Sequence, residues 1–186
     1  MPEMSFDYST AQWVLSIIIG VCLTKVYSTI SHHIRHRKDI IFYLPYLLLV
    51  ANTFIILITT WFASPWSYQM VEGNKLGFLA RILSDSTAVI FTLVALPDEL
   101  IPSKDKLDLK AVYYDSKKSW MVVMIMWGIS SSAISIFFGA EEYRIIAIGG
   151  IIIGPMIATL MIKFNNDYLH AVFHLFYIVQ MMQMIF

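Results

Sequence analysis

The apolar residues of this chain come in blocks of roughly 20, which is the length a helix needs to cross the hydrocarbon core of a bilayer. Hydrophobic residues make up 58% of the 186 residues, and charged residues make up 14%. A soluble domain of this size carries roughly 25% charged residues, so these blocks do not fit a water-soluble core. The sequence therefore predicts an all-α, polytopic transmembrane helix bundle that forms a single domain over residues 1–186.

Six spans are predicted from the apolar blocks. They cover approximately residues 11–30, 40–63, 76–97, 119–140, 143–164 and 168–186. The one long connection, residues 98–118, is rich in lysine and aspartate. Leu107, Leu109, Val112 and Tyr113 within it are expected to form a short helix at the membrane interface.

The positive charges alternate between the two sides of the predicted membrane. One side carries nine Lys and Arg residues and the other side carries two, Lys75 and Arg144. Because Lys and Arg are enriched in cytoplasmic loops, both termini are expected to face outward. The nine are Arg35, Arg37, Lys38, Lys104, Lys106, Lys110, Lys117, Lys118 and Lys163.

The third predicted span contains the densest set of polar residues. Arg81, Ser84, Asp85 and Thr92 follow helical spacing, so they share one face. Arg81 and Asp85 are four residues apart and can pair across one turn. Polar groups inside a membrane need a partner or a function, so two interpretations stay open: an ion pair that joins helices, or a polar pathway for ions or protons.

The histidines lie on the predicted inner side. His32, His33 and His36 follow the first span, whereas His170 and His174 begin the sixth span, one turn apart. Imidazole and carboxylate groups bind transition metals, so a metal site is one interpretation. The others are hydrogen bonding to carbonyls or lipid head groups, and pH sensing.

A first resemblance covers residues 13–125. It rests on a first span that ends in a basic His/Arg stretch, T-T-W-F-A-S-P-W at residues 59–66, Leu96-Pro97, and D-L-K-A-V-Y-Y at residues 108–114. These features resemble a group of small, functionally uncharacterised bacterial membrane proteins. The resemblance implies six spans and a multi-pass location in the bacterial inner membrane, and it implies no chemistry.

A second resemblance concerns the H-x3-H motif of His170 and His174. It is similar to the last-helix motif of the alkaline ceramidase and adiponectin-receptor superfamily, which are intramembrane zinc hydrolases with seven spans. Ser28-x3-His32 and Asp39 stand in the order of the other superfamily motifs, although Asp39 follows His32 more closely. The resemblance implies zinc held by His32, His170 and His174, with Asp39 nearby as a base for bound water.

Two functional hypotheses follow from these patterns. The first is a non-enzymatic channel, transport component or membrane subunit, with membrane lipids around it and with further copies or another membrane protein as partner. The second is a zinc-dependent intramembrane hydrolase that acts on a lipid. The zero net charge and the absence of a basic domain argue against nucleic-acid binding. The sequence lacks G-x-S-x-G, P-loop, H-E-x-x-H and C-x-x-C motifs, which favours the non-enzymatic hypothesis.

Overall fold

The structure, a computed structural model, describes residues 8–96, 106–139 and 141–183. Within these ranges the chain forms an all-α bundle, which confirms the predicted fold class. Its helices are α1 (Tyr8–Arg35), α2 (Leu44–Gln69), α3 (Lys75–Ala95), α4 (Leu109–Phe138), α5 (Glu141–Lys163) and α6 (Asp167–Met182). Two short strands, β1 (Ile40–Ile41) and β2 (Leu107–Asp108), pair in parallel.

Four segments of the described residues are long and apolar enough to cross a bilayer. They are Ala11–Arg35, Leu44–Gln69, Lys75–Ala95 and Leu109–Phe138. The apolar part of α5, Ala147–Lys163, is shorter, so six membrane crossings and the outward orientation of both termini stay predictions. The length and apolar composition of the four segments are compatible with a membrane-embedded protein.

The fourth helix begins earlier than the sequence indicates. Leu109, Val112 and Tyr113 do not form a separate interfacial helix, because α4 runs without interruption from Leu109 to Phe138. The Asp108 side chain accepts a hydrogen bond from Lys110 N and caps the helix at this earlier point. Leu109 and Tyr113 are buried, so packing extends the helix through the polar stretch that precedes the apolar block.

The helices pack so that α2 and α4 occupy central positions. α2 contacts α1, α3 and α6, and α4 contacts α3 and α5. A Cβ atom at Gly150 would lie 2.8 Å from Ser132 Oγ, so the missing side chain permits α5 to approach α4 closely. The turn between α2 and α3 contains Gly73 with φ 74°, a left-handed conformation that favours glycine.

The strand pair joins the connection between α1 and α2 to the residues that precede α4. Ile40 pairs with Leu107 and Ile41 pairs with Asp108, which ties the segment after α1 to the start of α4. β2 leads directly into α4 and β1 lies two residues before α2, so the first turns of α2 and α4 are placed side by side. Tyr43, at the start of α2, consequently contacts Tyr113 and Tyr114 of α4.

Candidate functional site

A hydrogen-bonded chain of buried side chains joins α2, α4 and α6, and is called here the buried chain. His170 and His174 are 0% and 1% exposed. Tyr113 Oη lies 2.7 Å from His170 Nδ1 and 2.9 Å from His174 Nε2. Asn52 Nδ2 lies 2.7 Å from His174 Nδ1, and His170 Nε2 lies 2.9 Å from the carbonyl oxygen of Phe164. The two histidines therefore meet through one tyrosine hydroxyl.

The carbonyl group at one end determines every proton position in the buried chain. A carbonyl oxygen only accepts hydrogen bonds, so His170 Nε2 carries the proton that it donates to Phe164 O. In the neutral imidazole, His170 Nδ1 then accepts from the Tyr113 hydroxyl. The Tyr113 oxygen accepts from His174 Nε2–H, which leaves His174 Nδ1 to accept from the Asn52 amide. All four imidazole nitrogens are thus occupied by protein partners.

A second group of polar residues, the rim cluster, lies beside the buried chain at the start of α6. Asp167 Oδ1 accepts from the hydroxyls of Tyr43 and Tyr114, each at 2.8 Å. Lys110 Nζ lies 2.7 Å from Asp167 Oδ2, and both of these side chains are about half exposed. The hydrogen bond from Lys110, with those of the two tyrosines, lowers the pKa of Asp167 to about 2.

A third group, the α3 cluster, contains three of the four residues predicted from the third span. Arg81 and Asp85 form the ion pair that their spacing allows, at 2.5 Å, with Asp85 only 2% exposed. Ser84 Oγ lies 2.9 Å from Ser131 Oγ and 3.1 Å from Ser130 Oγ of α4. Ser84 on the polar face of α3 is therefore directed at α4, where two serines of α4 are its hydrogen-bond partners.

The fourth predicted residue, Thr92, lies two turns beyond Asp85 on the same helix. Thr92 is fully buried and donates its hydroxyl proton to Ala88 O at 3.0 Å. Its hydrogen bond to its own helix satisfies the hydroxyl without a charged partner. The structure thus places Thr92 on the buried face of α3 but outside the α3 cluster.

The proposed zinc ligands are not brought together as one set. His170 and His174 share Tyr113, whereas His32 near the end of α1 stacks on His36, just after that helix, with a ring separation of 4.6 Å. Among the residues that the structure describes, no three His, Cys, Asp or Glu side chains stand close enough to hold a metal ion. Asp39 contributes its backbone N–H to His36 O. Zinc binding and the hydrolase hypothesis stay predictions, and this geometry adds nothing to them.

Buried hydroxyl groups also follow one face of α2. Tyr46, Thr53, Thr60 and Ser67 recur every seventh residue and are all buried; they are called here the α2 stripe. A spacing of seven residues keeps side chains near one face of an α-helix, with a drift of about 20° per repeat. Thr53 and Ser67 donate to carbonyl oxygens of their own helix, each at 2.8 Å. Their hydroxyl oxygens therefore keep acceptor capacity on the buried face.

Several buried polar atoms have no hydrogen-bond partner in the described part of the chain. Two belong to the α2 stripe, Tyr46 Oη and Thr60 Oγ1. Two more, Asn52 Oδ1 and Trp120 Nε1, belong to side chains that contact His174. Each buried, unsatisfied group costs about 1–3 kcal/mol, so a hydrogen-bonding partner at any of these four atoms would stabilise the protein.

Sequence reasoning missed Asn52, Tyr113 and Trp120, the partners of the two histidines. Asn52 carried a usable signal, since it is an amide inside the apolar run L-L-L-V-A-N-T-F of the second span. Tyr113 and Trp120 carried none, because aromatic residues are common at the ends of membrane helices. Family models, curated proteins and solved structures were compared with the chain, and none of them matches it.

Proposed function

We propose that the protein is a channel-like or transport component of the membrane, with a polar pathway along the α2 stripe. The observation that carries the proposal is the length of the stripe. From Tyr46 to Ser67 the helix rises roughly 32 Å at 1.5 Å per residue. The hydrocarbon core of a bilayer is about 30 Å thick, so buried hydroxyl groups recur over the whole of that distance.

Polar groups at both ends of the stripe support this route. At one end the Tyr46 ring lies 5.5 Å from the His33 ring of α1, centre to centre. At the other end Tyr68, the neighbour of Ser67, contacts the Asp85 carboxylate of the α3 cluster. A solute that enters at either end of α2 would therefore meet hydrogen-bonding groups before it meets the apolar core.

The charges beside the stripe favour a neutral solute over an ion. Arg81 and Asp85 pair with each other, so the α3 cluster offers no uncompensated charge to an ion in the interior. The stripe itself offers only hydroxyl groups, and an ion in a medium of low dielectric constant needs an opposite charge or a full coordination shell. Water and small neutral molecules that form hydrogen bonds are the solutes that this lining suits.

Packing alone is the main competing explanation of the stripe, because serine and threonine are common where membrane helices meet. In that role a hydroxyl group bonds to its own helix, as those of Thr53 and Ser67 do. Thr60 lacks such a bond although it is buried, and it lies near the middle of α2. Thr60 is therefore the residue at which the two explanations differ.

Purified protein in liposomes tests the proposal by stopped-flow light scattering, with water, glycerol and urea as probes and potassium flux as a comparison. We expect the protein to raise the permeability to at least one neutral probe above that of empty liposomes. Thr60→Val should reduce this gain about fivefold, the typical effect of one lost hydrogen bond of about 1 kcal/mol. Thr159→Val is the matched control, because Thr159 is exposed on α5 and bonds to Pro155 O.

Two results would contradict the proposal. One is a permeability equal to that of empty liposomes for every neutral probe. The other is an equal effect of Thr60→Val and Thr159→Val, which would indicate that the stripe serves packing. A subunit role beside another membrane protein, or a homo-oligomer, would then become the better hypothesis.

A further inference from the structure

Two unpartnered atoms belong to side chains that contact His174, and these atoms differ in chemical type. Asn52 Oδ1 is a hydrogen-bond acceptor, and Trp120 Nε1–H is a donor with no acceptor capacity. Asn52 is 2% exposed and Trp120 is 0% exposed. Both side chains contact the same imidazole: Asn52 through the 2.7 Å hydrogen bond, and Trp120 through rings 5.5 Å apart.

The buried chain fixes which end of the Asn52 amide faces His174. Because the Phe164 carbonyl sets the proton positions along the chain, His174 Nδ1 is an acceptor and must face the Asn52 NH2 group. The same NH2 group also lies 3.4 Å from the carbonyl oxygen of His174. Asn52 Oδ1 is therefore held away from the imidazole as a fixed, unused acceptor.

We propose that Asn52 Oδ1 and Trp120 Nε1 form a binding site for one neutral hydroxyl group, supplied by water or by a small alcohol. A hydroxyl group donates one hydrogen bond and accepts others, so one hydroxyl group bound between these side chains would satisfy both atoms. A cation would face the indole N–H, and an anion would face the amide oxygen, so neither suits both partners. The site identifies neutral hydroxyl compounds as the solute class for the proposed function. Its role in transport rests on that proposed function.

The site also gives a role to the buried chain. The Phe164 carbonyl, the two imidazoles and the Tyr113 phenol form a continuous hydrogen-bonded series that ends at Asn52. A free asparagine amide can present either its oxygen or its nitrogen to a ligand. The buried chain removes this choice, so Asn52 acts on the ligand directly whereas Tyr113 acts as a positioning residue. The hydroxyl of Tyr113 is needed because it accepts from His174 and donates to His170 at the same time.

The indole N–H signal of Trp120 tests the site in the intact protein. Protein with isotope-labelled tryptophan is placed in lipid nanodiscs, and the signal is assigned with Trp120→Phe. We expect either a magnetisation-transfer peak between this proton and a bound water, or a saturable shift during a glycerol titration. A water peak without a saturable shift identifies water as the occupant, and a saturable shift identifies an alcohol.

Absence of both signals would overturn the proposal. Tyr113→Phe adds a test of the positioning argument, because His174 would lose its acceptor at Nε2 and the Asn52 amide could then turn either way. With about half of the molecules in the competent orientation, the water peak should fall about twofold, or the apparent Kd for glycerol should double. Tyr27→Phe, the same change at an exposed position of α1, should leave both unchanged.

The spectroscopic result is independent of the flux result. Bound hydroxyl at Trp120 without any flux would retain the site and refute the proposed function. Flux through the α2 stripe without either signal at Trp120 would retain the function and refute the site. An equal decrease for Tyr113→Phe and Tyr27→Phe would refute the role of the buried chain in orienting Asn52.

Discussion

Removal of the Asp85 carboxylate should destabilise the protein more than removal of the whole ion pair. Asp85 is 2% exposed and the Arg81 side chain is 12% exposed, so both charges are shielded from water. Asp85→Ala leaves the Arg81 guanidinium buried without its partner, and breaking a buried pair in this way costs about 3–5 kcal/mol. Arg81→Leu combined with Asp85→Ala removes both charges, so we expect the double variant to lose less stability than Asp85→Ala.

Unfolding in mixed micelles, followed by circular dichroism, measures both free energies under the same conditions. Lys110→Ala serves as the control, because the Lys110–Asp167 pair is about half exposed and water replaces the lost partner. It should change the unfolding free energy much less than Asp85→Ala. A double variant that is as unstable as Asp85→Ala, or less stable, would refute the argument that a stranded charge dominates.

Two further predictions concern packing and pH. Gly154→Ala, with open space around its Cβ, should raise the unfolding midpoint because alanine favours the helix. Gly150→Ala should give a lower midpoint than Gly154→Ala, because its Cβ would lie 2.8 Å from Ser132 Oγ and that hydroxyl must rotate away; equal midpoints would refute the close α4–α5 approach. The pKa of Asp167 is about 2 in the folded protein and about 3.9 in the unfolded chain. Ionised Asp167 therefore stabilises the folded protein above about pH 3.9, and this stabilisation is lost as the pH falls through about 2. The difference in unfolding midpoint between wild type and Asp167→Asn should therefore shrink over that pH range, and a constant difference would contradict the assignment.

The features that sequence reasoning predicted are those that depend on local periodicity. The all-α fold follows from apolar blocks of membrane length, and the Arg81–Asp85 contact follows from a spacing of four residues on one helix. His170 and His174 likewise share a face of α6 because they are one turn apart. None of these statements requires knowledge of how the helices are arranged.

The partners of the histidines could not be predicted, because they come from other helices. Tyr113 is 57 residues from His170, and Asn52 is 122 residues from His174. Which helices become neighbours depends on side-chain packing across the whole bundle, and helical periodicity carries no information about it. The start of α4 was missed for a related reason, since tertiary burial of Leu109 and Tyr113 outweighs the polar residues between them.

Asn52 and the α2 stripe differ in whether they form hydrogen bonds to other helices. Asn52 and Thr53 are neighbours in sequence, so their side chains point about 100° apart around the helix. The Asn52 side chain hydrogen-bonds to His174 of α6, whereas the hydroxyl groups of Thr53 and Ser67 hydrogen-bond only to carbonyl oxygens of α2. Among the described residues, the α2 stripe thus contributes no hydrogen bond between helices. The proposed entry of a solute along the stripe would therefore break no hydrogen bond between helices among the described residues, while the bonds of Asn52 keep α2 attached to α6.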